Sequence, residues 1–353
     1  MESEQNTDNQ SYKLTSFSPG AGCGCKISPK DLREILKTDH QTPQFPNLLV
    51  GYDSSDDAAV YDIGNGQAVI STTDFFTPIV DDPFDFGRIA ATNALSDIYA
   101  MGGKPLMAIS VLGWPLQKLP AAIAARVIDG ARVVCKNAGI PLAGGHSIDI
   151  ADPVFGLAVT GIVETKYLKR NNTAISGDVL FLTKPLGIGI VSTAIKKGIA
   201  SGEHIHEITR LMTTLNASGE IFGKLPYISA MTDVTGFALA GHLIEMCDGN
   251  RLSAHVEFNN LPVIQGIQPY IEAKAIPGGT YRNWKSYAHQ IQLTSEDQRI
   301  ILCDPQTSGG LLVAVNPEFI IEFLDFCRIH QIPVTEIGSL KDQHSGLPTI
   351  MVI

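Results

Sequence analysis

Ala58-Ala59-Val60-Tyr61-Asp62-Ile63 and Ala68-Val69-Ile70-Ser71-Thr72-Thr73 flank Gly64-Asn65-Gly66. Two runs rich in β-branched and aromatic residues, joined by a turn whose glycines and asparagine accept positive φ, predict a β-hairpin. Asp57 and Asp74 fall at its strand ends. Working outward, residues 86–101 have helical periodicity with a middle of small residues (Ala90, Ala91, Ala94, Ser96), closed by Gly102-Gly103 and Pro105. Residues 107–112 read as a strand, 120–137 as a helix and 155–163 as a strand. A mixed first domain therefore runs to a boundary near Glu164.

The pattern resumes with strand 179–182, a Gly187-Ile188-Gly189 turn, and helices at 191–197 and 207–222. Strand 311–315, helix 318–330 and strand 349–352 complete a second domain. The expected architecture is α+β in two domains: a polar, disordered tail at 1–13, an N-terminal domain at 14–163 and a C-terminal α+β domain at 164–353. A length of 353 residues fits that division, since one core rarely grows so large. Hydrophobic residues at 44% and charged residues at 18% make the body globular.

Lys and Arg number 26 against 36 Asp and Glu, a net charge of −10 with no basic cluster. Nucleic acid is thereby excluded as an expected partner. No apolar run approaches the roughly 18 residues of a membrane span, and the first residues are polar rather than signal-like, so no membrane is expected and the protein is placed in the cytoplasm. Six scattered cysteines fit free thiols in a reducing compartment.

Familiar nucleotide loops are missing. Residues 20–26 lack the Gly-Lys-Ser/Thr ending of a P-loop, and the turn at Gly187 lacks the third glycine of a dinucleotide fingerprint. No Cys-x-x-Cys or His-Glu-x-x-His suggests zinc. Four stretches instead set aspartate beside small residues: Ser54-Ser55-Asp56-Asp57, Thr72-Thr73-Asp74, Asn93-Ala94-Leu95-Ser96-Asp97 and Thr232-Asp233-Val234-Thr235-Gly236. Hard cations such as Mg2+ take oxygen ligands and keep several waters, so carboxylates converging from separate segments suit a metal-bound polyphosphate. Any one of these aspartates could equally be a turn residue or helix cap. Asp97 is harder to explain that way, because a carboxylate late in a helix opposes the dipole; it shares a face with Asn93 one turn earlier.

Ser18-Pro19-Gly20-Ala21-Gly22-Cys23-Gly24-Cys25-Lys26 reads as a flexible loop over 18–27, followed by a short helix with Ser28 as its cap and Pro29 at its first position. Glycines expose Cys23, and Lys26 three residues on favours its thiolate. Cys25 is a competing thiol, and a harmless surface cysteine is an equal reading of the loop alone. In Ala143-Gly144-Gly145-His146-Ser147 the glycines would let backbone N–H groups approach a phosphate, although His146 alone could be a core histidine.

Together, Gly20 through Pro29, Asp56-Asp57-Ala58-Ala59-Val60, Ser71 through Phe76, Ala143 through Ser147, Thr232 through Phe237 and Asp304-Pro305-Gln306-Thr307-Ser308-Gly309-Gly310-Leu311 resemble the selenophosphate synthetase (selenide, water dikinase) family across residues 14–353. The resemblance implies an aminoimidazole ribonucleotide synthetase-like fold with mixed and antiparallel sheets and packed helices. It implies a homodimer joined through first-domain strands, and conversion of ATP, selenide and water to selenophosphate, AMP and orthophosphate. By motif position it implies Cys23 and Lys26 as catalytic and Asp57, Asp97 and Asp233 as Mg2+ ligands. Lys26, Ser54, Ser55, Asp56, Asp74, Asp97 and Gly145-His146-Ser147 would contact ATP. A selenium-delivery protein is a further expected partner. The competing expectations are another ATP-using enzyme of the same superfamily, which the Cys/Lys loop argues against, and a non-enzymatic selenium or thiol carrier, which leaves the aspartates idle.

Overall fold

The computed structural model describes residues 12–17, 26–27, 29–37, 45–51 and 56–353. Of the loop expected at 18–27, only Lys26 and Ile27 are among them; Cys23, Cys25, the cap Ser28, the Ser54-Ser55 pair and nearly all of the tail expected at 1–13 lie outside the described residues.

The first half of the chain runs α1 (Pro29–Leu36), β1 (Leu48–Val50), β2 (Ala59–Gly64), β3 (Gln67–Phe76), α2 (Pro83–Ala100), β4 (Lys104–Trp114), α3 (Ala121–Asn137), β5 (Leu142–Asp149) and β6 (Val154–Glu164). Its strands form a six-stranded sheet in the order β1-β2-β3-β6-β4-β5. The predicted hairpin is β2 and β3, turning through Gly64, Asn65 and Gly66, all at positive φ. Asp74 lies two residues inside β3 rather than at its end.

α2 begins at Pro83, earlier than its apolar periodicity suggests, because the Asp82 side chain accepts the Asp85 N–H and Pro83 fits the first turn. Nearly every residue of α2 is buried, since it packs between the first sheet, α3 and elements of the second half. Its small residues permit that crowding. A Cβ on Gly87 would meet the Val127 carbonyl of α3 at 1.8 Å, and one on Gly130 of α3 would meet the Phe84 carbonyl at 2.0 Å. Each fully buried Ile or Leu of α2, such as Ile89, Leu95 and Ile98, stabilises this packing by about 1.5–3 kcal/mol.

The second half runs β7 (Val179–Leu182), α4 (Ile188–Lys196), α5 (Gly202–Met212), α6 (Ser218–Gly223), β8 (Ile228–Asp233), α7 (Ala238–Asp248), β9 (Leu252–Val256), α8 (Gln268–Glu272) and α9 (Gly278–Tyr287). It ends with β10 (Ile291–Gln292), α10 (Glu296–Leu302), β11 (Leu311–Val315), α11 (Ile320–Ile329), β12 (Thr335–Asp342) and β13 (Ile350–Val352). The seven-stranded sheet is ordered β10-β13-β9-β12-β7-β11-β8, so β8, which ends at Asp233, is an outer strand. Both sheets mix parallel and antiparallel pairs, as an α+β reading requires.

One expectation needs correction. The helix expected over 207–222 is two helices, α5 and α6. Thr213 and Thr214 turn their hydroxyls back onto the Thr209 and Arg210 carbonyls at 2.8 and 2.7 Å, and Asn216 directs its amide to Ser96 and Gly309 instead of continuing the helix. Ala143-Gly144-Gly145-His146-Ser147, to which the sequence reading assigns no element, forms the interior of β5, at the edge of the first sheet. Gly145 serves close strand approach there: a Cβ would fall 2.1 Å from Ser110 Oγ on β4.

Candidate active site

Side chains of β3 alternate between faces, so Thr72 and Asp74 both point toward α2, while Asn93 and Asp97 lie one turn apart on the facing side of that helix. The two pairs meet. Thr72 Oγ1 donates to Asp97 Oδ2 at 2.5 Å, and Asn93 Nδ2 donates to Asp74 Oδ2. Lys26 Nζ stands 3.7 Å from Asp74 Oδ1 and 5.9 Å from the centre of the Phe237 ring, just before α7, so the one described side chain of the Cys/Lys motif reaches both halves of the molecule.

The second half supplies the remaining wall. Asp233, at the end of β8, is hydrogen-bonded by Ser96 of α2. Its neighbour Thr232 donates to Asp57 Oδ1 at 2.7 Å. Asp57 Oδ2 and Asp233 Oδ2 are sealed from solvent with no hydrogen-bond donor among the described residues. A buried carboxylate oxygen with no donor is expensive unless something positive meets it.

The electrostatics agree. Burial pushes the Asp57 carboxyl well above the ordinary carboxylate range, and the charges of Asp233, Asp56 and Asp97 push it further, against the Thr232 hydroxyl. Burial likewise raises Asp97, helped by Asp74 and Asp233 and opposed by Thr72 and Lys26. Burial raises Asp233 too, while Ser96, His242 and Lys26 pull it down. These are acids that cannot all ionise together without a cation.

Among the described residues, no three His, Cys, Asp or Glu side chains form a ready-made metal cage. Mg2+ does not require one, because it is held by one or two carboxylates together with waters and substrate phosphates. The donor set fits such an ion: hard oxygens only, mutually repelling, with Oδ2 of Asp57 and of Asp233 unpaired among the described residues.

Other expected positions fall differently. Asp56 Oδ1 accepts the N–H of Asn171 at 3.1 Å and that of Asp57 at 3.2 Å, so it fastens the segment before β2 to the stretch joining the two sheets, while its Oδ2 is buried with no partner among the described residues. Burial raises its pKa to about 6 against these donors. Gly145, His146 and Ser147 are exposed on β5, separated from β3 by β6 and β4, and the chain does not bring them to the aspartates. The sequence reading missed Thr232 as the partner of Asp57, and Asn216, Ser308 and Lys184 beneath the site. A lysine two residues past the apolar strand β7 was the available signal.

Comparison with known proteins gives the family and the fold. Residues 55–163 match the family "AIR synthase related protein, N-terminal domain" and residues 176–348 its C-terminal domain. Selenide, water dikinase of Pasteurella multocida (strain Pm70) is 54% identical over 341 residues, covering 97% of this chain and 97% of the relative. That of Photorhabdus laumondii subsp. laumondii is 57% identical over 340 residues, 96% of this chain and 98% of the relative. Among solved structures, a thiamine-monophosphate kinase from Stenotrophomonas maltophilia K279a superposes with a TM-score of 0.63 at 19% identity, covering 91% of this chain and 93% of the other. AaThiL, complexed with AMPPCP and TMP, gives a TM-score of 0.63 at 16% identity, with 92% and 91% covered. These structures share the fold, an AIR synthase-like pair of α+β domains as expected. With both domain models matched and relatives more than half identical along almost the whole chain, the protein belongs to the selenide, water dikinase family.

Proposed function

We propose that the chain forms selenophosphate from selenide, ATP and water, releasing AMP and orthophosphate, and that Asp57, Asp97 and Asp233 hold the divalent ions, Mg2+, that accompany the triphosphate. The observation that carries this reading is the convergence of buried, mutually repelling carboxylates from both halves of the chain, with Oδ2 of Asp57 and of Asp233 unpartnered among the described residues. Mg2+ bound there would offset phosphate charge and orient the β- and γ-phosphoryl groups.

The chain's own residues supply the rest. Lys26, steered by Asp74, places an ammonium where negative charge builds up on the transferred phosphoryl group as hydroselenide attacks the γ-phosphorus. A water subsequently splits the bound ADP. Cys23, outside the described residues, is assigned the role of delivering or holding selenium. Asp74, Ser54 and Ser55 contact the nucleotide, and Asp56 contributes by fixing Asp57 in place.

A homodimer suits the outer face of the first sheet. Tyr61 (47% exposed), Phe75 (52%), Met107 (45%) and Ile109 (46%) all stand on that face, forming an apolar surface of the kind that marks protein contacts. A second copy seated there is also the means by which Gly145, His146 and Ser147 reach nucleotide. No described helix is long and apolar enough to cross a membrane. With Cys135, Cys247, Cys303 and Cys327 all free, we place the protein in the reducing cytoplasm, where a selenium-delivery protein would meet it.

The test is selenide-dependent AMP formation by wild type, Cys23→Ser and Lys26→Ala. Loss in both variants supports the reading. Full activity in both removes the loop from the mechanism.

A further inference from the structure

Lys184 follows β7 in Leu182-Thr183-Lys184-Pro185 and is buried, 7% exposed. Its ammonium donates to the Thr214 carbonyl at 2.7 Å and the Ser308 carbonyl at 2.9 Å. Burial lowers the pKa of this amine to about 7, and an amine buried so deeply is costly unless its hydrogen bonds are made. Here it grips a backbone under strain. Ser308 has φ +48°, a left-handed conformation that side-chain-bearing residues rarely adopt. Three bonds keep it there: Lys184 on its carbonyl, its hydroxyl on the Ile89 carbonyl at 3.2 Å, and its N–H on Asn93 Oδ1 at 2.8 Å.

The last bond has a direction. A backbone N–H can only donate, so Asn93 must present its oxygen to Ser308 and its amide nitrogen to Asp74 Oδ2. Asp74 is thereby oriented with Oδ1 toward Lys26. The linkage runs from the second half, through Ser308 and Asn93, to the ammonium at the site. A parallel brace, Asn216 on Ser96 and on the Gly309 carbonyl, ties the same two loops to α2.

We propose that Lys184 is a positioning residue: by holding the Ser308 carbonyl it fixes Asn93, and through it the face that Asp74 turns to Lys26. This rests on the reading of the site given above. It assigns a role in nucleotide handling to a residue that touches neither nucleotide nor any of the three metal-binding aspartates.

A double-mutant cycle tests it. Lys184→Met, Asn93→Leu and the double variant are compared with wild type for kcat and KM in selenide-dependent AMP formation, for Mg-ATP affinity by calorimetry, and for thermal stability. Each single variant is expected to lower kcat/KM for ATP about tenfold per folded molecule, and the double to be no worse than the weaker single. Losses that multiply to about 100-fold would make the two residues independent and overturn the proposal. So would Lys184→Met with a reduced melting temperature but unchanged kcat and KM, which is the signature of a merely structural lysine. Lys184→Gln, which keeps an N–H-donating nitrogen but no charge, replaces Lys184→Met if the latter does not fold. Wild-type protein that forms no selenide-dependent AMP would count against the proposed function; the cycle is then read on Mg-ATP affinity, where coupling still supports the role and additivity still overturns it.

Discussion

Thr232 donates its hydroxyl to Asp57 Oδ1 at 2.7 Å, so the last turn of chain before the hairpin of the first sheet is held by the outer strand of the second. The next residue, Asp233, is itself held by Ser96 of α2. The carboxylates thus meet only when both sheets and α2 are assembled. Folding brings like charges together, and a divalent ion bound among them should stabilise the assembled chain.

Asp97→Asn removes one charge from that cluster while leaving an oxygen for the Thr72 hydroxyl. In metal-free buffer the variant is expected to be more stable than wild type by about 1 kcal/mol, because burial, Asp74 and Asp233 all oppose ionisation at this position. Its AMP-forming activity is expected to fall roughly 100-fold or more. Urea unfolding with and without Mg2+, beside an activity assay, measures both; a variant that is destabilised and active would contradict the electrostatic account.

Gly156 of β6 lies against the backbone of β3, where a Cβ would fall 1.9 Å from the Asp74 carbonyl. Gly156→Ala must push β3 aside, costing about 1–3 kcal/mol. Because Asp74 moves with its strand, KM for ATP should rise in protein that is still folded. Comparison with Gly139→Ala, a position whose Cβ meets nothing within 4 Å but whose φ is +72°, separates the two effects: that variant loses stability and keeps its KM.

Asp304 gives a pH dependence away from the metal-binding residues. Burial raises its carboxyl from 3.8 to about 8, although Gln306 and the N–H of Gly189 donate to it. The folded chain therefore keeps a proton that the unfolded chain has lost. Its contribution to stability is full below about pH 4 and is lost as pH climbs toward about 8, by on the order of a few kcal/mol. Asp304→Asn, which cannot ionise, should lose measurably less over that window when unfolding is followed by urea titration at several pH values; an unchanged slope would sink the assignment.

The apolar outer face of the first sheet leads to a prediction about assembly. Ile109→Lys places a charge in its middle, where Ile109 is 46% exposed. Sedimentation should show wild type as a dimer and the variant shifted to monomer at the same concentration. Monomeric wild type would remove the proposed route by which Gly145, His146 and Ser147 reach nucleotide.

What could be read beforehand follows from the range of the interactions. The β2–β3 hairpin was legible because Gly64, Asn65 and Gly66 are its turn, and Asp97 stood out because its helix position is unfavourable without a partner. β5 was not legible as a strand because its glycines lower strand propensity, whereas the structure uses Gly145 to bring β5 against Ser110. The break between α5 and α6 escaped because threonine hydroxyls and the Asn216 amide compete with the helix only in tertiary context. Lys184 and Ser308 are 124 residues apart, and Ser308 and Asn93 are 215 apart. No local pattern records such pairs.

Phosphorus NMR of ATP, Mg2+ and selenide with the protein tests the central claim most directly. Wild type should give a new selenium-bonded phosphorus resonance together with AMP and orthophosphate, and Asp97→Asn and Asp233→Asn should give neither. ATP turned over to ADP alone, or the same resonance at wild-type rate in both variants, would contradict the assembly of these aspartates around the ions that hold the triphosphate.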